Sequence, residues 1–149
     1  VIYVSQKDRV FGGAGNDEFD ATDSMGQNRM SGGIGDDIFY LGKNDRAFGG
    51  QGDDKFFVQS DGQNIMSGGK GSDQFWIIYG DIPDTNTIVD FEVGSDVIGI
   101  LGASSLGIDA SNLELNEVDS NTEIAFSGQT VAIVNGVTGL DVNSSVVFA

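Results

Sequence analysis

Four aspartates, Asp17, Asp37, Asp54 and Asp73, occupy one place in a phrase written four times, Gly-Gly-x-Gly-x-Asp-x-Phe. The copies begin at Gly12, Gly32, Gly49 and Gly68. Three glycines in four positions let the backbone take positive φ and curl tightly. Carbonyl oxygens then turn into the concavity, and the aspartate adds a charged oxygen. A donor set made of oxygen alone suits a hard divalent cation. Ca²⁺ takes about six to eight oxygens at about 2.3–2.6 Å, whereas Mg²⁺ demands octahedral geometry and keeps its waters. If the copies stack at a strand spacing of about 4.8 Å, an ion between two turns collects oxygens from both. Four turns leave three gaps, so about three or more Ca²⁺ ions are expected. Three would bring the formal charge from −16 to about −10. Without them the aspartates form a like-charged column, which is destabilising. Binding free energy is then folding free energy for this region. An aspartate beside glycine can also make a turn with no metal. Four copies in register favour the cation.

Composition narrows the alternatives. The 149 residues, about one domain's worth, carry 7 Lys and Arg against 23 Asp and Glu. So acidic a chain should repel nucleic acid and anionic membranes, and its natural partners are cations. With no Cys and no His, thiolate sites and disulfides are excluded, and the commonest general base and zinc ligand are missing. The opening VIYVSQKDRV has no charged leader followed by an apolar stretch, so no signal peptide is expected in it. No apolar run reaches the roughly 18 residues of a membrane helix, so no membrane insertion is expected.

The elements that must position the aspartates follow from the repeat. The steps between copies are 20, 17 and 19 residues, close to two nine-residue halves. A second phrase fills the intervening halves: Lys7-Asp8-Arg9-Val10, Gln27-Asn28-Arg29-Met30, Asn44-Asp45-Arg46-Ala47 and Gln63-Asn64-Ile65-Met66. Period-two alternation reads as short strands. Phe19, Phe39, Phe56 and Phe75 form one apolar column, and Val10, Met30, Ala47 and Met66 another. Both should point inward and face each other. Such regularity means a stacked coil, each repeat contacting its neighbours. The repeat region is residues 1–80. Residues 81–149 read as a β-rich cap covering the last coil, with a turn cluster at 81–86. Its expected strands are Thr87–Phe91, Val97–Leu101, Leu113–Val118, Glu123–Phe126 and Thr130–Val134, with a tight hairpin at Ser127-Gly128.

The phrase resembles the Gly- and Asp-rich nonapeptide of RTX (repeats-in-toxin, hemolysin-type calcium-binding) proteins. That resemblance implies an all-β fold, a right-handed parallel β-roll (β-solenoid). It also implies Ca²⁺ between successive turns and type I secretion from bacteria. Carried onto this chain, the backbone oxygens of Gly13, Gly15, Gly33, Gly35, Gly50, Gly52, Gly69 and Gly71 would be ligands. So would Asp17, Asp37, Asp54 and Asp73, with Asn16, Asp36 and Asp53 beside them. Thr87 to Ile98 is similar to the stretch that closes such rolls, which makes Asp90 and Asp96 candidates for a last site. Ser145-Val-Val-Phe-Ala is similar to the tail of uncleaved C-terminal secretion signals. Two departures stand out. Only alternate halves carry the glycine phrase, so one ion row is expected. Ser72 replaces the Asn or Asp of the other copies, so the last turn should bind more weakly.

The remaining columns have plainer readings. Asp8, Asn28, Asp45 and Asn64 lack flanking glycines and read as a hydrogen-bonded ladder. Tyr40, Phe57 and Trp76 share an outward column with Asp20, packed under the C-terminal half or open to a partner such as a sugar ring. Arg9, Arg29 and Arg46 form a cationic column expected to be solvated and to pair with nearby acids, the alternative being contact with an anionic glycan or a neighbouring subunit. Acid pairs such as Asp36/Asp37 are ion ligands before they are a two-carboxylate catalytic site, so no enzyme activity is expected. The leading expectation is a non-catalytic calcium-binding module of a secreted, extracellular or cell-surface bacterial protein. The alternatives are a self-assembling subunit of a surface layer, sheath or filament, and an adhesive module that binds surface polysaccharide.

Overall fold

The computed structural model describes residues 1–79 and 83–149, without the side chains of residues 60, 61, 78 and 79. Of the turn cluster expected at 81–86, residues 81 and 82 lie outside the described residues. The strands of the coil are β1 (Ile2–Tyr3), β2 (Arg9–Ala14), β3 (Glu18–Asp20), β4 (Arg29–Ile34), β5 (Ile38–Lys43) and β6 (Arg46–Gln51). They continue as β7 (Lys55–Gly62), β8 (Ile65–Lys70), β9 (Gln74–Tyr79), β10 (Asn86–Ile88) and β11 (Val97–Leu101). After them come α1 (Ala103–Leu106), β12 (Leu113–Val118), β13 (Asn121–Phe126), β14 (Gln129–Val134), α2 (Val142–Ser145) and β15 (Val146–Phe148).

Successive coil strands alternate between two sheets. One runs β1-β3-β5-β7-β9-β11-β15 and the other β12-β13-β14-β10-β8-β6-β4-β2. The coil strands pair in parallel, each with its equivalent one turn on. Among the described residues this makes a parallel β-roll of five coils, β2-β3 through β10-β11. Both sheets continue past residue 80, since β10 pairs with β8 and β11 with β9.

The interior is built from the two expected columns. Phe19, Phe39, Phe56 and Phe75 are fully buried. Their rings stack at 4.8, 4.9 and 5.0 Å between centroids, with planes within 8° of parallel. Opposite them Met30, Ala47, Met66 and Ile88 are fully buried, and Val10, in the first coil, is partly covered. Phe91 closes the ring ladder at 6.2 Å with a 46° tilt.

The C-terminal segment seals the last coil. Strands β12, β13 and β14 form an antiparallel meander, and β14 lies parallel to β10. Val97–Leu101 and Leu113–Val118 are strands with the expected bounds. The Ser127-Gly128 hairpin has positive φ at both residues, 51° and 78°, the mirror-image turn that matches strand twist. Asp119 and Ser120 make a second such turn, at 49° and 67°. The strand expected at Thr87–Phe91 stops at Ile88, because Asp90 leaves the ladder and accepts from Ser67 Oγ, Gly68 N and Gly69 N at 2.6, 2.9 and 3.0 Å. The tail is also structured. Strand β15 pairs in parallel with β11, and the Ala149 carbonyl accepts from the N–H groups of Gly102 and Ala103. Among the described residues no helix is long and apolar enough to cross a membrane.

Phe56 sits mid-ladder with a ring on each side. Phe56→Ala is expected to cost about 3–5 kcal/mol in denaturant unfolding with Ca²⁺ present, and Phe57→Ala, in the half-buried outward column, clearly less.

Candidate metal centre

Each glycine phrase turns the chain from the eight-stranded sheet to the seven-stranded one. Gly33 and Gly35 show what the turn demands. Their φ angles are 118° and 127°, which L side chains rarely adopt. A Cβ on Gly33 would collide with the carbonyl oxygen of Gly13, and one on Gly35 with that of Gly15. The carbonyls of one turn thus project against the next. The same relation links Gly33 to Gly50, Gly35 to Gly52, Gly50 to Gly69 and Gly52 to Gly71. The first glycine of the phrase serves the aspartate. A Cβ on Gly32 would meet the Asp37 carboxylate, which folds back over this position, as Asp17, Asp54 and Asp73 fold over Gly12, Gly49 and Gly68.

The aspartates form a ladder. The Asp17 N–H donates to Asp37 Oδ1 at 2.7 Å, Asp37 N–H to Asp54 Oδ1 at 2.8 Å and Asp54 N–H to Asp73 Oδ1 at 2.8 Å. Asp73 N–H then donates to Asp96 Oδ1 at 2.9 Å. One oxygen each of Asp37, Asp54 and Asp73 is therefore spent holding the coils together. The other is not. Among the described residues, Oδ2 of Asp17, Asp37, Asp54 and Asp73 is buried with no hydrogen-bond partner. A buried polar atom left unpaired is costly, and a charged one more so. Four such atoms in one column, beside stacked carbonyls, fit a hard divalent cation held by oxygen. Among the described residues no three carboxylates converge on one point. A cation here would take much of its coordination from the backbone.

Asn16, Asp36 and Asp53 lace the turns in the opposite direction. Asn16 Oδ1 accepts from Asp36 N–H at 3.0 Å, Asp36 Oδ1 from Asp53 N–H at 2.9 Å and Asp53 Oδ1 from Ser72 N–H at 2.8 Å. At Ser72 this second ladder ends. Ser95 Oγ instead donates to the Gly71 carbonyl at 3.1 Å, a contact with no mark in the repeat pattern. The structure brings Asp96 into the main column, with its Oδ2 accepting from Glu92 N–H at 2.8 Å. Asp90 stands apart, both its oxygens engaged by the Ser67–Gly69 segment.

The opposite turns carry a different row. Asp8, Asn28, Asp45 and Asn64 form the expected ladder, which continues to Asn86, through N–H to Oδ1 bonds of 2.8–3.1 Å. Amides at Asn28, Asn64 and Asn86 dilute the charge. Among the described residues, Asp45 alone in this row has a buried oxygen without a partner.

Burial dominates the titration of Asp37, Asp54, Asp73 and Asp96. Desolvation raises Asp54 from 3.8 to about 7 and Asp73 to about 6, the Asp37 N–H and Asp54 N–H respectively oppose it, and neighbouring carboxylates add to it. Asp37 and Asp96 are raised for the same leading reason.

Two expectations about the flanks are decided. Tyr40, Phe57 and Trp76 do share a column with Asp20, half-buried and stacked at 5.3 and 6.1 Å, and Trp76 lies against Gly99 of the next coil. The expected pairing of Arg9, Arg29 and Arg46 with nearby acids is not found. Among the described residues none of the three forms an ion pair, because the acids of the adjoining turns fold into the ladders.

The family model of the RTX calcium-binding nonapeptide repeat, in four copies, matches residues 5–23, 26–43 and 41–75. Among solved structures the chain is similar to the AlgE6R3 subunit of the Azotobacter vinelandii mannuronan C5-epimerase. The two are 22% identical, over 93% of this chain and 81% of that one, with a TM-score of 0.47. No curated protein sequence matches.

The raised aspartates fix a pH dependence. In the metal-free protein their contribution is fully present below the unfolded value of 3.8 and is lost as pH rises through about 6 to 7. In chelator the β-signal of far-UV circular dichroism should therefore fall from pH 5 to pH 8, as the carboxylates ionise. Cation affinity, read by calorimetry, should rise over the same window, since the ion competes with the proton.

Proposed function

The repeat region of this chain, residues 5–23 and 26–75, belongs to the RTX calcium-binding nonapeptide repeat family, and from that premise we propose that the protein is a non-catalytic, calcium-dependent folding module of a secreted or cell-surface bacterial protein. The observation that carries this reading is the column of four buried, unpartnered Asp Oδ2 atoms. Ca²⁺ would be held by Asp17, Asp37, Asp54 and Asp73 with the carbonyls of Gly13, Gly15, Gly33, Gly35, Gly50, Gly52, Gly69 and Gly71. Asn16, Asp36 and Asp53 flank the row, and Asp96 extends it to the last coil. Asp90 serves that last site as a clamp on the Gly68-Gly69 turn. When bound, Ca²⁺ supplies the positive charge that a column of buried carboxylates lacks.

In this reading residues 1–80 carry the calcium repeats, and residues 81–149 supply the last coil of the roll, its cap and an export segment. In the cytosol, where Ca²⁺ is scarce, repulsion within the −16 chain keeps the roll loose and exportable. Outside, extracellular calcium modules bind with Kd of about 10⁻⁴–10⁻³ M, and mass action then stabilises the folded form. The pairing of β15 with β11 supports the order of events. An export signal in the tail would be readable before folding and covered after it.

The test is a Ca²⁺ titration of chelator-stripped protein followed by far-UV circular dichroism, with Mg²⁺ as control. A cooperative gain of β-signal with Ca²⁺ alone is expected. A protein that stays folded in chelator would overturn calcium as the organising ligand. Asp54→Asn keeps the Oδ1 acceptor for Asp37 N–H and removes one buried charge. It should shift the Ca²⁺ midpoint several-fold upward while making the chelator-treated protein less loose, both read on the same titration.

A further inference from the structure

Arg9, Arg29 and Arg46 stand in strict register at the starts of β2, β4 and β6, one per coil. All three are exposed. With Lys7 they line an open cleft of about 570 Å³, so four of the seven cationic side chains of an acidic protein converge there. The corner residues Lys7, Gln27 and Asn44 line the same cleft at positive φ of 59°, 65° and 55°, which is uncommon for residues with side chains. Two positions along the same strands, and hence on the same face, run Phe11, Ser31 and Phe48. Phe11 is 74% exposed. The Arg29 guanidinium lies 5.0 Å above the Phe48 ring centroid.

These features ask for a ligand with evenly repeated negative charge and apolar faces between the charges. We infer that the cleft binds a linear polysaccharide bearing an acidic group, carboxylate or sulfate, on its successive sugars. The chain lies across the strands, along the roll. Its acidic groups meet the guanidiniums, which present planar donor forks suited to oxyanions. The C–H faces of its sugars rest on Phe11 and Phe48. The aspartate row does not forbid this. It lies beyond the far ends of these six-residue strands, about 20 Å away at about 3.3 Å per residue, against a Debye length of about 8 Å at physiological salt. A duplex nucleic acid is a poorer match, because the three arginines span only about 10 Å, two strand spacings.

The experiment is calorimetric titration of the calcium-loaded protein with an unbranched uronate hexasaccharide, a sulfated hexasaccharide, a neutral hexasaccharide and an oligothymidylate of similar length. At least one acidic sugar should bind, with an affinity that falls as salt rises. The neutral sugar should bind at least about tenfold more weakly. Arg29→Gln should weaken binding about tenfold, and the Arg9→Gln, Arg29→Gln, Arg46→Gln triple variant should abolish it. Lys55→Gln, which removes the same charge from the other sheet, should leave it unchanged. Circular dichroism of each calcium-loaded variant reads folding separately from sugar binding, so failure of the calcium reading is distinguishable. The inference is overturned by any of three results: equal binding of the neutral sugar, no loss in the triple variant, or no binding of either acidic sugar at millimolar concentration. Binding of oligothymidylate as tight as that of the sugars would also overturn it, in favour of nucleic acid.

Discussion

Parallel stacking in register sets each side chain about 4.8 Å from its equivalents in the coils above and below. An apolar column gains from this, and the Phe19–Phe39–Phe56–Phe75 rings become a continuous stack. A carboxylate column has like charges as its neighbours and protein on its other sides. Backbone N–H groups of adjacent coils satisfy Oδ1 at every level from Asp37 to Asp96. No donor in the chain reaches the second oxygen of Asp17, Asp37, Asp54 or Asp73 among the described residues. The turn is thus complete in its backbone and incomplete in its charge.

The glycines follow from the same constraint. One in each phrase gives way to the carboxylate, and from the second phrase on two more give way to carbonyls of the preceding turn. The two edges of the roll illustrate the difference charge makes. The opposite row repeats the N–H to Oδ1 ladder but separates its acids with amides, so Asp45 lies between Asn28 and Asn64. There, among the described residues, only Asp45 keeps an unpartnered buried oxygen, and amides flank it on both sides. On the glycine edge an acid stands at every level, which is a poor choice for stability alone and a sound one for a cation.

The cap works with the roll. Strand β14 takes the open edge of β10, and β15 takes that of β11, so both sheets end on strands supplied by the cap. Unpaired strand edges invite pairing with other chains, and here the C-terminal segment occupies them. The last turn also belongs to both parts. Asp96 joins the aspartate column from a segment without the glycine phrase, and Asp90 clamps the Gly68–Gly69 backbone. Order in the row and order in the cap are therefore linked through these two acids.

The repeat region was legible in the sequence because equal offsets become spatial neighbours when like units stack. The phrase alone placed Phe56 inward, Asp54 in a row and Asn28 in a ladder. Composition alone ruled out cysteine and histidine chemistry. Beyond residue 80 the strand runs Val97–Leu101 and Leu113–Val118 were readable from local alternation, but their partners were not. Nothing periodic announces that β15 lies beside β11, that Gly99 makes room for Trp76, or that the strand from Thr87 ends early so that Asp90 can reach the turn. The arginine column was visible as a column, yet its lack of acidic partners depends on where the adjoining carboxylates fold. Local pattern determines what a repeating unit contacts, because its neighbour is a copy of itself. Closure of the coil and the satisfaction of each buried oxygen were decided only by the tertiary structure, since they depend on segments brought together across the chain with no shared period.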